Sequence, residues 1–161
     1  MFIIGDRIAH PMHGAGVVDS IETRKTNGEE KEYYVLKLPV GGMLVMIPVQ
    51  ATNAIGVRKI IGHDEAESIL KSIPNIEINI TQNWNKRYRE NMLKIKSGNL
   101  MEVAEVIKGL MFRDKDRGLS TGERKMLHSA KQILISEIVL SQSSSYEEIE
   151  ERLNVAMTCM A

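Results

Sequence analysis

The chain has 161 residues, 21 of them Lys or Arg and 21 Asp or Glu, so its formal charge is zero; 43% are hydrophobic and only 4% aromatic. This is enough apolar residue for a core, in one domain or two small ones. No run of 18 apolar residues offers a membrane span, and one cysteine, Cys159, excludes an internal disulfide framework and fits a reducing compartment. The opening Met1-Phe2-Ile3-Ile4-Gly5-Asp6 lacks the basic leader and apolar core of a signal peptide, so a cytoplasmic location is expected.

The first sixty residues read as strands: Asp6–His10, Gly16–Arg24, Glu32–Leu38, Met43–Val49 and Val57–Ile61. Asn27-Gly28 supplies the positive φ angles of a tight hairpin turn, and Gly41-Gly42 does the same one hairpin later. Short strands joined by glycine turns predict a small, strongly bent antiparallel barrel.

Near Gly62 the period changes to helical. Ala66, Ile69 and Leu70 pattern a helix over Asp64–Ser72, stopped by Pro74, and Pro74–Thr81 reads as a linker. Trp84, Tyr88 and Met92 form a stripe on Trp84–Lys96, which Ser97-Gly98 ends. Asn99 with Glu102 caps a helix whose face is Leu100, Val103, Ala104, Ile107 and Leu110-Met111, up to Gly118. Ser120 with Glu123 caps another, with Met126, Leu127, Ala130, Ile133, Leu134 and Ile138 inward. Ser143-Ser144-Ser145 breaks the chain, and Ser145 with Glu148 opens a last helix through Ile149, Leu153 and Ala156. The expected protein is α+β: a barrel over residues 1–61, a short helix and linker over 62–81, and a compact all-α helical domain over 82–161.

The zero net charge conceals blocks. Residues 1–60 hold 7 basic and 6 acidic residues; 61–80 hold 1 and 4; 81–132 hold 12 and 6; 133–161 hold 1 and 5. A segment of +6 therefore sits between acidic ones, and local potential rather than the total decides what meets a polyanion.

Enzyme chemistry finds no support. His10 and His13 are three apart, but no third metal ligand is near. Cys159 has no partner as a nucleophile. Glu147-Glu148 and Glu150-Glu151 read as a solvated helix face. Gly14-Ala15-Gly16 is too short for a dinucleotide fingerprint and leads into a strand. No catalytic residue, metal, cofactor or small-molecule substrate is expected. The basic block is the lead. Asn83-Trp84-Asn85-Lys86-Arg87-Tyr88-Arg89 interleaves the sole tryptophan with three cations, and Arg124-Lys125 lies just inside a helix N-terminus, where free N–H groups and the dipole favour phosphate. Trp84 reads either as a core residue on its stripe or as an exposed wedge for an unstacked base step. Arg113, Lys115 and Arg117 alternate with Asp114 and Asp116 and look more like salt-bridged surface.

An ordered set of motifs carries a resemblance. Gly5-Asp6, His10-Pro11-Met12-His13-Gly14-Ala15-Gly16, Ile21-Glu22, Tyr33-Tyr34-Val35-Leu36 and Val45-Met46-Ile47-Pro48 resemble the N-terminal module of the CarD/CdnL family of bacterial transcription regulators. Asn83-Trp84-Asn85-Lys86-Arg87-Tyr88, Ser97-Gly98, Val103-Ala104-Glu105-Val106, Arg113-Asp114 and Gly118 to Leu127 resemble its helical domain. The resemblance spans about residues 1 to 155. It implies that the barrel is a Tudor/SH3-like RNA polymerase interaction domain, which adds a strand to the polymerase β subunit. Leu44, Val45, Met46, Ile47 and Pro48 would be that edge, with Arg24 beside it. It implies that the helical domain contacts promoter DNA at the upstream edge of the −10 region. Trp84 would be a minor-groove wedge, and Lys86, Arg87, Arg89, Arg124 and Lys125 would supply basic contacts; the effect would be a stabilised open complex. Some relatives carry a basic residue just before Val/Ile-Pro, where this chain has Met46, so an arginine contact to the β subunit is lost there. The alternative is an adaptor on the polymerase without direct DNA contact.

Overall fold

The computed structural model describes residues 1–39, 41–78 and 83–158. The end of the expected linker (79–81) and Cys159 lie outside the described residues. Five strands, β1 (Arg7–His10), β2 (Gly14–Thr26), β3 (Glu29–Lys37), β4 (Leu44–Pro48) and β5 (Arg58–Lys59), form one antiparallel sheet in the order β4-β3-β2-β1-β5. Asn27 (φ 52°) and Gly28 (φ 81°) make the β2–β3 turn with both positive angles the sequence predicts. A bulge between Val18 and Ser20 bends β2. The curled sheet encloses Ile8, Val18, Tyr34, Leu36, Ile47 and Val57, with Phe2 seated edge-on against Tyr34.

Each strand differs from expectation at one end or both, β5 the most. Val57–Ile61 shrinks to a two-residue strand because the backbone N–H of Ile61 turns to a carboxylate on a helix. Between β4 and β5 the chain makes a 3-10 turn (Val49–Ala51) and a single helical turn, α1 (Thr52–Ile55), ended by Gly56 at φ 92°.

The helical half contains α2 (His63–Ser72), α3 (Trp84–Lys96), α4 (Leu100–Asp116), α5 (Thr121–Gln142) and α6 (Tyr146–Thr158). The capping residues act as the sequence predicts. Asn99 Oδ1 accepts from the N–H groups of Met101 and Glu102, Ser120 Oγ from Glu123 N–H, and Ser145 Oγ from Glu148 N–H. Helix α2 belongs to this core, because Ala66, Ile69, Leu70 and Ile73 pack with Leu100, Ile107, Leu134, Ile138 and Leu153. Lys108 fastens the chain just after α2 to α4 by donating to the carbonyls of Ile73, Pro74 and Ile76 at 2.8, 3.0 and 2.9 Å.

Helix α5 is the spine. Residues Ile133 to Val139 are buried on every side, because α4 and α6 cover one face and β2 covers another. A helix apolar all round is a core helix, and Ser136 and Glu137 within that run are the polar exceptions.

Candidate functional site

Helix α3 starts at Trp84 because Asn83 Oδ1 accepts from Lys86 N–H, at 3.0 Å. Its first residue meets the first turn of α5. The Trp84 indole is 43% exposed, stacks on Tyr88 (centroids 5.2 Å apart, planes at 19°), and donates its Nε1–H to Ser120 Oγ at 3.3 Å. A Cβ at Gly122 would meet both rings at 3.8 Å, an ordinary van der Waals contact, so the first turn of α5 lies directly against the stacked pair. Tyr88 and Met92 pack on the core while the other end of their stripe emerges. The stripe is therefore packed on the core at Tyr88 and Met92, with its terminal ring, Trp84, presented to solvent.

Beneath the indole lies a buried carboxylate. Glu123, 2% exposed, takes the Ser120 hydroxyl on one oxygen (3.2 Å) and Arg87 Nε on the other (3.0 Å), with Arg113 Nε at 3.8 Å. Burial pushes its pKa up, but the hydrogen bond and charge of Arg87 and the donors of Ser120 outweigh it, so the net shift is downward and the group is held ionised. One line of contacts thus runs from the indole through Ser120 to Glu123, and from there to α3 and α4.

This corrects the expectation for Arg87. Its side chain is 5% exposed and is turned inward to Glu123, so it is not presented to a phosphate. Position on the helix decides: Lys86 and Arg89 are exposed, whereas Arg87 lies on the side facing α5. Arg124 and Lys125 are exposed on the first turn of α5, and Arg124 Nε folds back to the Leu119 carbonyl at 3.3 Å. Arg113, read as surface, instead joins the Glu123 cluster, while Arg117 pairs with Asp116 on the surface at 3.6 Å.

The second site is the open edge of the sheet. Among the described residues strand β4 pairs only with β3, with Leu36 opposite Val45 and Tyr34 opposite Ile47. Leu38 N–H donates to the Met43 carbonyl at 2.9 Å. Hydrogen-bonded pairs alternate along an antiparallel ladder, so the pairs at Val45 and Ile47 bond to β3, and the N–H and C=O groups of Leu44 and Met46 face outward. Pro48, which has no N–H, occupies an outward position, where none is needed by the ladder. Leu44 and Met46 are exposed, Val45 and Pro48 half-buried. Ile47, expected among the contact residues, is 1% exposed and belongs to the core; its side chain points where Tyr34 points. Arg24 is not beside this edge: β3 intervenes, and Arg24 is opposite Lys31, two residues beyond the Tyr33–Pro48 pair that ends β4. Its guanidinium bonds Glu22 at 3.2 Å.

His10 and His13 pack against each other, centroids 4.5 Å apart, and His10 Nδ1 accepts from Met12 N–H. Burial, then the neighbouring His13, lowers the His10 pKa. Among the described residues no three His, Cys, Asp or Glu side chains group as metal ligands, and no helix is long and apolar enough to cross a membrane.

Two family profiles cover most of the chain. The CarD-like/TRCF RID domain matches residues 2–61, and the CarD C-terminal domain matches residues 68–154. YdeB of Bacillus subtilis (strain 168), described as a candidate transcription factor, is 35% identical over 150 residues, which are 93% of this chain and 98% of the relative. The chain belongs to the CarD family.

The family is one of transcription regulators, not of enzymes, and the fold matches it: a RID-type β-sheet domain followed by a helical domain. Within this CarD-type chain, Ser120 and Glu123 are the site residues that sequence reading missed as more than a helix cap. No sequence signal marks the cluster, because Glu123 meets Arg87 and Arg113 only through the packing of α3 and α4 on α5.

Proposed function

We propose that this chain is a polymerase-bound regulator that stabilises the promoter open complex. Strand β4 adds to a strand of the RNA polymerase β subunit through the outward groups of Leu44 and Met46. Trp84 enters the minor groove at the upstream edge of the −10 bubble, while Lys86, Arg89, Arg124 and Lys125 contact phosphates.

The observation that carries this reading is the held, half-exposed indole at the meeting of two helix N-termini, with exposed cations on both helices. A wedge needs an aromatic ring in solvent that does not lose its orientation on binding, and stacking on Tyr88 plus the Ser120 hydrogen bond supply that. The mechanism is a population shift: a group that contacts the opened junction and not the closed duplex favours opening by its differential affinity. One stacked aromatic contributes roughly 1–3 kcal/mol, on the order of tenfold to hundredfold in the equilibrium. DNA binding by the isolated protein is then weak and salt-sensitive, and attachment to polymerase provides the effective concentration.

The test is Trp84→Ala, with folding and polymerase retention checked first. The lifetime of open complexes under competitor challenge is expected to fall on the order of tenfold. An unchanged lifetime in a folded, polymerase-binding variant refutes the wedge and leaves the adaptor reading.

A further inference from the structure

The sheet and the helical core are joined by polar contacts that packing alone does not require. Glu137, in the middle of α5, is 1% exposed and accepts from the chain around β5: Arg58 Nη1 at 2.6 Å, Arg58 Nη2 at 3.0 Å and Ile61 N–H at 2.9 Å. The same Arg58 donates to the Gly98 carbonyl, at the turn that ends α3, at 3.1 Å. On the preceding residue of α5, Ser136 Oγ accepts from Ala15 N–H at 2.9 Å, and about one turn further on Arg7 Nη1 donates to the Leu140 carbonyl at 2.6 Å. Gly14, at φ 92°, lies so close that a Cβ would come within 2.5 Å of Ser136 Oγ and 3.3 Å of Ile133 Cα.

Glu137 is buried, whereas the Arg58 side chain is 36% exposed; such a pair contributes little net stability, since desolvation of the carboxylate offsets attraction, but a wrong geometry leaves that carboxylate uncompensated. Such a pair therefore selects one orientation. Arg58 is a planar fork that satisfies both carboxylate oxygens only from one direction. It touches the sheet's β5 edge, α5 and the end of α3, the helix that begins at Trp84.

We propose that Arg58 and Glu137 are positioning residues that lock the sheet to the helical core, so that polymerase docked on β4 delivers Trp84 to one fixed place and angle. This rests on the proposed function. Neither residue touches DNA or polymerase; both act by removing the freedom of one binding surface relative to the other, which is what raises an effective concentration.

The experiment uses the full chain with Arg58→Lys, which keeps the charge and loses the fork, and Glu137→Gln, which keeps the shape and loses the charge. Gly14→Ala opens the same interface without touching a charge, and so keeps the test standing if either charge variant does not fold. Spin labels at Lys25→Cys and Glu147→Cys, in a Cys159→Ser background, report the distance between the halves. Polymerase affinity and weak DNA affinity, each measured separately at low salt, are expected to stay within about twofold. The distance distribution is expected to broaden, and open-complex lifetime to fall roughly tenfold, by loss of effective concentration. A broadened distribution with unchanged lifetime overturns the positioning role, as does a lost lifetime with an unchanged distribution. Trp84→Ala is run beside them. If it leaves lifetime unchanged, the wedge reading falls and this inference with it; if it shortens lifetime and the interface variants do not, only this inference falls.

Discussion

Arg87 separates a buried structural charge from a DNA contact, and Arg87→Ala reads the difference directly. The change leaves Glu123, 2% exposed, without its nearest cation. Removing one partner of a buried pair costs about 3–5 kcal/mol. The cost here is expected at the low end, about 3 kcal/mol, because the Ser120 hydroxyl at 3.2 Å and Arg113 at 3.8 Å remain. For a chain of this length each kcal/mol moves Tm by about 3 °C, so a fall of about 9 °C is expected. The exposed neighbours, Lys86→Ala and Arg89→Ala, are expected within about 0.5 kcal/mol of the parent. The effect has a pH signature. In the parent, Arg87 and Ser120 outweigh burial and Glu123 titrates below its ordinary value, so its contribution is fully present above the unfolded pKa and disappears as pH falls through the folded one. Without Arg87, burial dominates and the folded pKa rises above the unfolded one. The deficit is then largest at neutral pH and shrinks as acid protonates the carboxyl. Urea melts at pH 7 and pH 5, followed by the emission of the sole tryptophan, measure it. An unchanged Tm together with a shallower salt dependence of DNA binding refutes this account and returns Arg87 to the phosphate contacts.

The other predictions concern the two surfaces and one surface ion pair. Lys86→Ala, Arg89→Ala or Lys125→Ala is expected to reduce the slope of log K against log salt by about one each, measured by DNA titration, whereas Arg87→Ala is not. Met46→Pro removes an outward N–H while sparing the β3 ladder, so polymerase pull-down is expected to fail with the melt nearly unchanged; Val45→Pro is expected to lower Tm, because its N–H faces β3. Glu67, bonded to Arg152 at 2.8 Å and to Gln142, is held at about pKa 2 by those hydrogen bonds and the Arg152 charge. Its folded pKa lies below its unfolded one, so Glu67→Gln is expected to cost less than about 1 kcal/mol at pH 7, the pair being partly exposed, and the difference is expected to vanish as pH falls from about 4.5 toward 2.

The elements that sequence reading located are those written locally. Asn27-Gly28 sits at its turn, Asn99, Ser120 and Ser145 cap their helices, and the apolar run Met43–Val49 contains the edge strand, Leu44–Pro48. The Ser120–Glu123 spacing reads only as a helix cap; Glu123 is also the counter-ion of Arg87, 36 residues earlier. The sequence does not separate Arg87 from Lys86 and Arg89, because all three are cations in one helical turn, and only the packing of α3 on α5 decides which is covered. Ile47 looked like its neighbours in an apolar strand, yet alternation turns it inward and Met46 outward.

The sequence by itself determined the α+β division, the order of elements, the basic block and the tryptophan at a helix start. These follow from turn chemistry, caps and periodicity, which act over a few residues and are readable at that range. The tertiary structure decided which charges are buried and paired, which way the indole is held, and how the sheet meets the helices. Arg58 and Glu137 stand 79 residues apart, and Ala15 and Ser136 stand 121 apart. No spacing rule links residues so distant; they find each other only when α5 is enclosed on all sides and its carboxylate must have a partner.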